Sequence, residues 1–235
     1  LRHVLIRTGH KSGQILVILV MASTFFPSKK NFIRELIREC PEITSVVINI
    51  NNRRTSMILG DRQYTEYGRG YIEDTLCGIT YRISPKSFYQ VNAVQTEILY
   101  TKAIELARLT GSETVIDAYS GIGTIGMTVA GHVRKVISVE TNTDAVKDAR
   151  RNAKANNISN IDIYADDAGR FMRRMADNNE TCDVIFMDPP RAGSDKVFLN
   201  SILKLMPSKV IYISCCPETL ARDLAVLARR AYRVA

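Results

Sequence analysis

Two adjacent cysteines, Cys215 and Cys216, lie in the segment IYISCCPETLARDL, between a predicted strand and a predicted helix. Pro217 suits the first position of that helix, which puts Cys216 near the N-cap and Cys215 just before it, facing the free N–H groups of the first turn. The positive end of the helix dipole favours the thiolate form of a cysteine. One of the pair is therefore a candidate nucleophile, although a small buried hydrophobic role is the commoner fate of a cysteine.

A glycine-rich turn follows an earlier strand, in the segment VIDAYSGIGTIG. The strand ends with Asp117, and Gly121, Gly123 and Gly126 match the spacing GxGxxG, which lets backbone N–H groups approach a nucleotide-like ligand. The next strand, KVISVE, ends in Glu140, whose carboxylate can accept hydrogen bonds from two ribose hydroxyls. This arrangement suits NAD and S-adenosylmethionine equally.

Two further acidic residues, at the ends of the third and fourth predicted strands, favour S-adenosylmethionine. Asp167 in IYADDAGRF can accept a hydrogen bond from an adenine amino group, and Asp188 begins the rigid sequence Asp-Pro-Pro in MDPPRAG. Asp-Pro-Pro at a strand end holds a carboxylate against a planar substrate, which is typical of methyltransferases rather than dehydrogenases. Because ligands of open α/β sheets bind at the carboxyl ends of the strands, the four strand ends together predict a methyltransferase site.

The cysteine pair narrows the class of substrate. Methyl transfer to a phosphate, an amine or a hydroxyl oxygen needs no thiol, whereas carbon 5 of uracil is a poor nucleophile. Addition of a thiolate to carbon 6 converts the ring into an enolate whose carbon 5 can attack a sulfonium methyl group. A base must then remove the carbon 5 proton so that the thiol can leave. The sequence thus predicts methylation of a pyrimidine carbon.

The hydrophobic pattern indicates which elements position these residues. Residues 1–84 contain β-rich runs, among them TSMILG at 55–60, around one amphipathic segment, SKKNFIRELIREC, and predict a small α+β domain. From residue 85 onward, short apolar strands alternate with helices. Residues 85–235 are therefore predicted to form an α/β domain with a doubly wound, mostly parallel sheet.

Five segments, SFYQVN, DAYSGIGTIG, VE, MDPPRAG and ISCCPETLARDL, resemble in this order the motifs of the RNA uracil-5-methyltransferase family, and the resemblance covers almost the whole chain. It implies a Rossmann-like class I methyltransferase domain in residues 85–235, an RNA contact in residues 1–84, and S-adenosyl-L-methionine as cofactor. Cys215 would be the nucleophile, with Asp188 and Gln90 as further catalytic residues. The motifs and the resemblance together assign cofactor binding to Gln90, Tyr119, Gly121, Gly123, Glu140, Asp167 and Asp188.

The chain departs from the family pattern in three respects. The family usually reads Ser-Cys-Asn-Pro, so Cys216 stands where asparagine is expected and is not the reactive cysteine. The resemblance places the family's general-base glutamate beyond Ala235. The chain is also expected to lack the family's N-terminal RNA-binding barrel and the four-cysteine iron–sulfur cluster of some members, which leaves the central domain and most of the catalytic domain.

Other functions compete with this interpretation. An RNA cytosine-5-methyltransferase uses the same thiol addition, but typically carries a second cysteine after Asp-Pro-Pro, where this chain has Arg191. An amino-group methyltransferase needs no cysteine, and a non-catalytic RNA-binding module need not bind S-adenosylmethionine. Within the uracil-5 family, the segment SPKSFYQVNAVQTEILY is most similar to members acting on 23S ribosomal RNA, with transfer RNA as the second choice.

Composition sets wider bounds. The formal net charge is +8, with 12 Lys and Arg against 7 Asp and Glu in residues 1–84 and 20 against 17 afterwards, which is compatible with RNA as partner. The five cysteines form no CxxC pair, which argues against a disulfide framework or a metal site and favours the reducing cytoplasm. The longest apolar run, GQILVILVMASTFF, is too short to span a bilayer and predicts a buried strand. No membrane and no protein partner are predicted.

Overall fold

The computed structural model describes residues 1–234, which fall into two compact units that divide between Tyr89 and Gln90. The division lies a few residues beyond the change of pattern predicted at Ser84. The first unit contains, in chain order, β1 (His3–Thr8), β2 (Ile15–Met21), α1 (Lys29–Glu39), β3 (Ile43–Ile50), β4 (Arg62–Tyr67), β5 (Ile72–Leu76) and β6 (Ile79–Ile83).

The first unit is built on a sheet with the order β1-β2-β3-β4. β2 and β3 are parallel and are joined through α1, whereas the two outer strands pair antiparallel to their neighbours. The amphipathic α1 buries Ile33 against alternate residues of β2 and β3, such as Leu19 and Ile48. β5 and β6 form a separate antiparallel hairpin.

The predicted buried strand in the longest apolar run is confirmed as β2, in which Leu16, Ile18 and Val20 are wholly buried. Alternate residues of this strand point to opposite faces, so burial of successive residues shows that both faces of the sheet are covered here. Within residues 1–234, no helix combines the length and the apolar character needed to cross a membrane.

The predicted strand TSMILG, at residues 55–60, is wrong. Two side-chain amides hydrogen-bond the backbone of this segment. Asn49 of β3 exchanges two hydrogen bonds with the backbone of Gly60, at 3.0 and 2.7 Å, and Asn51, which directly follows β3, donates through Nδ2 to the carbonyl oxygens of Met57 and Ile58. The neighbour of β3 is instead β4, a mostly exposed strand with the sequence RQYTEY. Its lack of apolar alternation explains why the hydrophobic pattern missed it.

The second unit has the predicted alternation of helices and strands. Its elements are α2 (Ala93–Ala107), β7 (Thr114–Ala118), α3 (Thr124–Ala130), β8 (Lys135–Glu140), α4 (Thr143–Ala155), β9 (Ile161–Ala165), α5 (Ala168–Asp177), β10 (Val184–Met187), α6 (Lys196–Leu205), β11 (Lys209–Tyr212) and α7 (Pro217–Ala228). The strands that the structure describes in this second unit form a parallel sheet with the order β11-β10-β7-β8-β9. The Rossmann-like, doubly wound α/β fold is thus confirmed.

Helices cover both faces of this sheet. Ile116 and Ile185 point toward α5, α6 and α7, where they pack against Met172 and Phe198. On the other face, Phe186 lies against α2 and α3. The strand order reverses between β7 and β10, and open α/β sheets bind ligands at the carboxyl ends of such strands.

Replacing Phe198 by alanine tests the importance of the α5–α6 face. Phe198 is wholly buried, and its ring lies 5.2 Å from that of Tyr119. We expect Phe198→Ala to lower the free energy of unfolding by about 3–5 kcal/mol because it leaves a cavity. The neighbouring Val197 is 41% exposed, so Val197→Ala should cost less than about 1 kcal/mol. Urea denaturation of both variants measures the difference, and equal losses would contradict the packing described.

Candidate active site

The glycine-rich turn connects β7 to α3 and requires glycine at two positions. Gly121 has φ 56° and Gly123 has φ 84°, and this left-handed region is unfavourable for residues with a Cβ. Gly121 N donates to Glu140 Oε2 at 2.9 Å, while Ser120 N donates to the backbone of β8. The turn is therefore held against the end of the adjacent strand.

Glu140 lies at the carboxyl end of β8, as predicted. Besides Gly121, its carboxylate accepts from Asn142 N at 2.7 Å and from Thr141 Oγ1 at 3.2 Å. A carboxylate has about four acceptor positions, so these contacts orient Glu140 and leave capacity for a ligand hydroxyl.

Asp117 is a wholly buried carboxyl group beneath the same turn. Its Oδ2 accepts from Gly126 N at 2.8 Å, and its Oδ1 has no hydrogen-bond partner among the described residues. Burial is the main cause that raises the pKa of Asp117 to about 7. A Cβ at Gly126 would lie 2.6 Å from Asp117 Oδ2, so the approach of α3 to this carboxyl depends on glycine.

Gln90 and Asp188, both predicted as catalytic and cofactor residues, are brought together although they are far apart in sequence. Gln90 Nε2 lies 3.5 Å from Asp188 Oδ2, a long hydrogen bond. Asp188 directly follows β10, and burial raises its pKa to about 6. The pair combines an amide with a carboxyl group that holds a proton more readily than an exposed aspartate.

The two cysteines lie at the predicted strand-to-helix connection. Cys216 is the N-cap of α7 and Pro217 begins the helix, as expected; the Cys216 side chain makes no capping hydrogen bond and its Sγ instead lies 3.1 Å from Glu218 Oε2. Cys215 is exposed. Ser214 Oγ accepts from Cys216 N at 3.1 Å and donates to Cys216 O at 3.0 Å, which closes a tight turn around Cys215.

The side chains of Tyr119 and Asp167, both predicted to bind the cofactor, make hydrogen bonds within the protein. Tyr119 has φ 62°, and its hydroxyl donates to Ser194 Oγ at 3.2 Å; burial raises its pKa to about 12. Asp167 is the N-cap of α5 and accepts from Arg170 N at 2.9 Å. One oxygen of Asp167 thus stabilises a helix end, and its contact with a ligand stays a prediction.

Apart from Gln90, the predicted site residues end or follow strands of one parallel sheet, and Gln90 is hydrogen-bonded to one of them, Asp188. Hydrogen bonds connect Gln90 with Asp188 and Glu140 with Gly121. Sequence reasoning did not single out the side chains that support them: Ser214, Ser194 and Asp223. Among residues 1–234, no cluster of three or more His, Cys, Asp or Glu side chains could hold a metal ion.

The chain is similar in sequence to known RNA methyltransferases. The family model "tRNA (Uracil-5-)-methyltransferase" matches residues 47–235. An uncharacterized RNA methyltransferase of Halalkalibacterium halodurans is 45% identical over 227 residues, which are 97% of this chain and 50% of that protein. One from Listeria innocua is 44% identical over 232 residues, 99% of this chain and 51% of that protein. The chain spans about half the length of these relatives.

Solved structures show the same fold. The Pyrococcus abyssi tRNA (uracil-54, C5)-methyltransferase, in complex with S-adenosyl-L-homocysteine, superposes with a TM-score of 0.75 and 27% identity over 95% of this chain and 52% of that chain. An S-adenosylmethionine-dependent methyltransferase from Agrobacterium tumefaciens has a TM-score of 0.54 at 14% identity, over 86% of this chain and 68% of that chain. The second likeness concerns the fold alone.

The raised pKa of Asp117 predicts a pH dependence of stability. The carboxyl moves from an ordinary pKa of 3.8 to about 7 on folding, so the folded state favours the protonated form. Stability from this group is present below pH 4 and is lost as the pH rises through 7. Asp117→Asn cannot ionise, so between pH 4 and pH 8 it should gain roughly 2–4 kcal/mol in free energy of unfolding relative to the unsubstituted chain. Urea denaturation at both pH values measures this difference, and a constant difference would contradict the burial of an ionisable Asp117.

Proposed function

Because the chain belongs to the tRNA (uracil-5-)-methyltransferase family, we propose that it methylates carbon 5 of a uridine in RNA through a covalent Cys215–uracil intermediate. The observation that carries the proposal is the exposed Cys215, held by the Ser214 turn at the same sheet edge as the Gln90–Asp188 pair. Cys215 and Asp188 thus follow the neighbouring parallel strands β11 and β10, and Gln90 is hydrogen-bonded to Asp188.

The residues of the glycine-rich turn fit S-adenosylmethionine as the cofactor. Glu140 retains acceptor capacity for a ribose hydroxyl, and the positive-φ glycines keep side chains away from a ligand. When bound, S-adenosylmethionine supplies an electrophilic methyl group. We assign its binding to Gln90, Tyr119, Gly121, Gly123, Glu140, Asp167 and Asp188.

Three side chains, Cys215, Asp188 and Gln90, account for activation of the uracil ring. The Cys215 thiolate forms a bond from Sγ to carbon 6 of uracil, and the electron pair of the 5,6 double bond moves toward carbon 5 and the neighbouring carbonyl. Asp188, with its pKa raised to about 6, can share a proton with the uracil oxygen on which negative charge develops. Gln90 offers a donor and an acceptor to the same planar ring. Carbon 5, made nucleophilic in this way, can take up the methyl group; transfer of its remaining proton to a base then restores the 5,6 double bond and expels the Cys215 thiolate.

We further propose 23S ribosomal RNA as the preferred substrate, with residues 1–84 as an RNA contact. The similarity of residues 84–100 to family members that act on 23S ribosomal RNA supports the first point, and the positive charge of residues 1–84 supports the second. Transfer RNA is the second candidate because the family model and the Pyrococcus abyssi neighbour are named for it. The described cysteines are all free, which supports a reducing compartment such as the cytoplasm.

Substitution of Glu140 tests the cofactor site. Isothermal titration should show binding of S-adenosylhomocysteine to the unsubstituted chain and no heat with NAD. Glu140→Ala should weaken binding by about 1.5–3 kcal/mol, as expected for lost hydrogen bonds to a charged group. Glu180, an exposed acid outside the site, provides the control, and Glu180→Ala should bind normally. Equal binding of NAD would overturn the cofactor assignment.

The two cysteines can be separated with an RNA hairpin that contains 5-fluorouridine. When S-adenosylmethionine is present, carbon 5 of the adduct carries fluorine and the transferred methyl group and has no proton to lose, so the thiol cannot be expelled and the adduct should persist under denaturing conditions. We expect the unsubstituted chain and Cys216→Asn to form this adduct, and Cys215→Ala to form none. Gel electrophoresis in denaturant followed by mass spectrometry identifies the attached cysteine. Adduct formation by Cys215→Ala would reject the assignment of the nucleophile.

The same assay decides between the RNA classes. Fluorouridine-substituted fragments of 23S ribosomal RNA should form the adduct faster than substituted transfer RNA transcripts at equal concentration. The opposite order would favour transfer RNA and leave the uracil-5 chemistry in place.

A further inference from the structure

The helix that follows the cysteines grips the loop that follows Asp188. Thr219 Oγ1 donates to Arg191 O at 3.1 Å, and Arg222 Nη2 donates to Ala192 O at 2.9 Å and Ser194 O at 3.1 Å. Ser194 N donates in return to Asp223 Oδ2 at 2.8 Å. We call Thr219, Arg222 and Asp223 the α7 clasp.

Asp223 is the centre of the α7 clasp. It is wholly buried, yet both of its oxygens are used: Oδ2 accepts from Ser194 N and from the Tyr212 hydroxyl at 2.8 Å, and Oδ1 accepts from Arg222 Nε at 2.8 Å. An ion pair with Arg222 at 2.7 Å balances its charge. A buried carboxylate is costly unless it is paired in this way, so the position demands a specific arrangement of its neighbours.

Gly193 shows how closely the loop and helix approach. Its φ is 73°, and a Cβ at this position would lie 2.4 Å from Arg222 Nη2 and 2.7 Å from Asp223 Oδ2. The loop backbone therefore rests directly on the polar ends of the clasp. Small displacements of Asp223 must be passed on to the loop because no free space separates them.

The clasp joins the parts of the site that carry different predicted roles. The loop that the clasp contacts, residues 191–194, directly follows the Asp-Pro-Pro sequence that begins with Asp188. Helix α7 begins immediately after Cys216. Ser194 also accepts from the Tyr119 hydroxyl through its own Oγ at 3.2 Å. One side chain, Asp223, is thus connected to the Asp188 loop, to the helix behind Cys215 and, through Ser194, to Tyr119.

We propose that Asp223 is a positioning residue that sets the placement of Cys215 relative to Asp188 for attack on the base. This inference rests on the proposed uracil-5 methylation. Misplacement of reacting groups by about 1 Å costs on the order of a hundredfold in rate, so loss of the clasp should slow adduct formation in a protein that remains folded.

Three substitutions distinguish positioning from a merely structural role. Asp223→Ala removes the acceptor for Ser194 N. Asp223→Asn can keep an oxygen facing Ser194 N and the Tyr212 hydroxyl, and loses the charge opposite Arg222. Tyr212→Phe is the matched control, because it removes one hydrogen bond to Asp223 and leaves the loop contacts in place.

The test measures the rate of adduct formation with the 5-fluorouridine hairpin at saturating S-adenosylmethionine, well below the melting temperature of each variant. Asp223→Ala should be slower by on the order of tenfold to a hundredfold. Asp223→Asn keeps the acceptor for Ser194 N but turns an amide NH2 toward the Arg222 guanidinium, so its rate should lie between those of Asp223→Ala and the unsubstituted chain. Tyr212→Phe should stay within about twofold of the unsubstituted chain. A folded Asp223→Ala variant with an unchanged rate would overturn the proposal, and so would a Tyr212→Phe variant that is equally slow.

Amide hydrogen exchange separates this inference from the proposed function. If the unsubstituted chain forms no adduct, the proposed chemistry fails, and exchange at Ser194 N still tests the clasp. Asp223→Ala should exchange at least about tenfold faster at this amide, with little change in Tyr212→Phe. Equal protection of Ser194 in all variants would show that Asp223 does not hold the loop.

Discussion

Parallel pairing between β7 and β10 decides where the candidate active site lies. The register places Ala118 opposite Met187, so that Tyr119 and Asp188, the next residues of the two strands, emerge side by side. Met187 is in turn paired with Tyr212, and Ala118 with Val139. A shift by one residue would turn each of these strand-end side chains to the opposite face. The convergence of the site therefore depends on hydrogen bonds between buried strands.

Two buried aspartates of the second unit, Asp117 and Asp223, differ in their hydrogen-bond partners. Among residues 1–234, Asp117 has a backbone N–H partner for one oxygen and no partner for the other, and burial raises its pKa to about 7. Asp223 has donors for both oxygens and a guanidinium as partner. The incompletely paired group lies beneath the glycine-rich turn, where a ligand is expected, whereas the fully paired group joins a loop to a helix. The two carboxyl groups are equally buried and differ in how completely their oxygens are hydrogen-bonded.

The cysteine turn combines a rigid backbone with an exposed thiol. Ser214 closes the turn through two hydrogen bonds, and Pro217 begins the helix with a backbone angle that is already suitable. Cys216 stands where family members usually have asparagine and makes no capping bond. The loss of that cap is compatible with the turn because Ser214 and Pro217 define its geometry. The Cys215 thiol is therefore exposed on a backbone that hydrogen bonds hold in place.

Sequence alone determined the order of the elements from residue 85 onward and the residue types near the strand ends, because apolar periodicity and glycine or proline signals act locally. The ends themselves were less exact, since β7 ends at Ala118 and not at the predicted Asp117. It also indicated that Pro217 begins a helix after the cysteines. It did not determine that residues 55–60 are held by the Asn49 and Asn51 side chains, since these contacts depend on the placement of β3. Nor did it show that Asp223 hydrogen-bonds the loop after Asp188. The contact is made to Ser194 N, 29 residues before Asp223 in the chain. Such contacts exist only when the packed sheet and helices bring distant segments together, and tertiary structure alone decides which polar groups become partners.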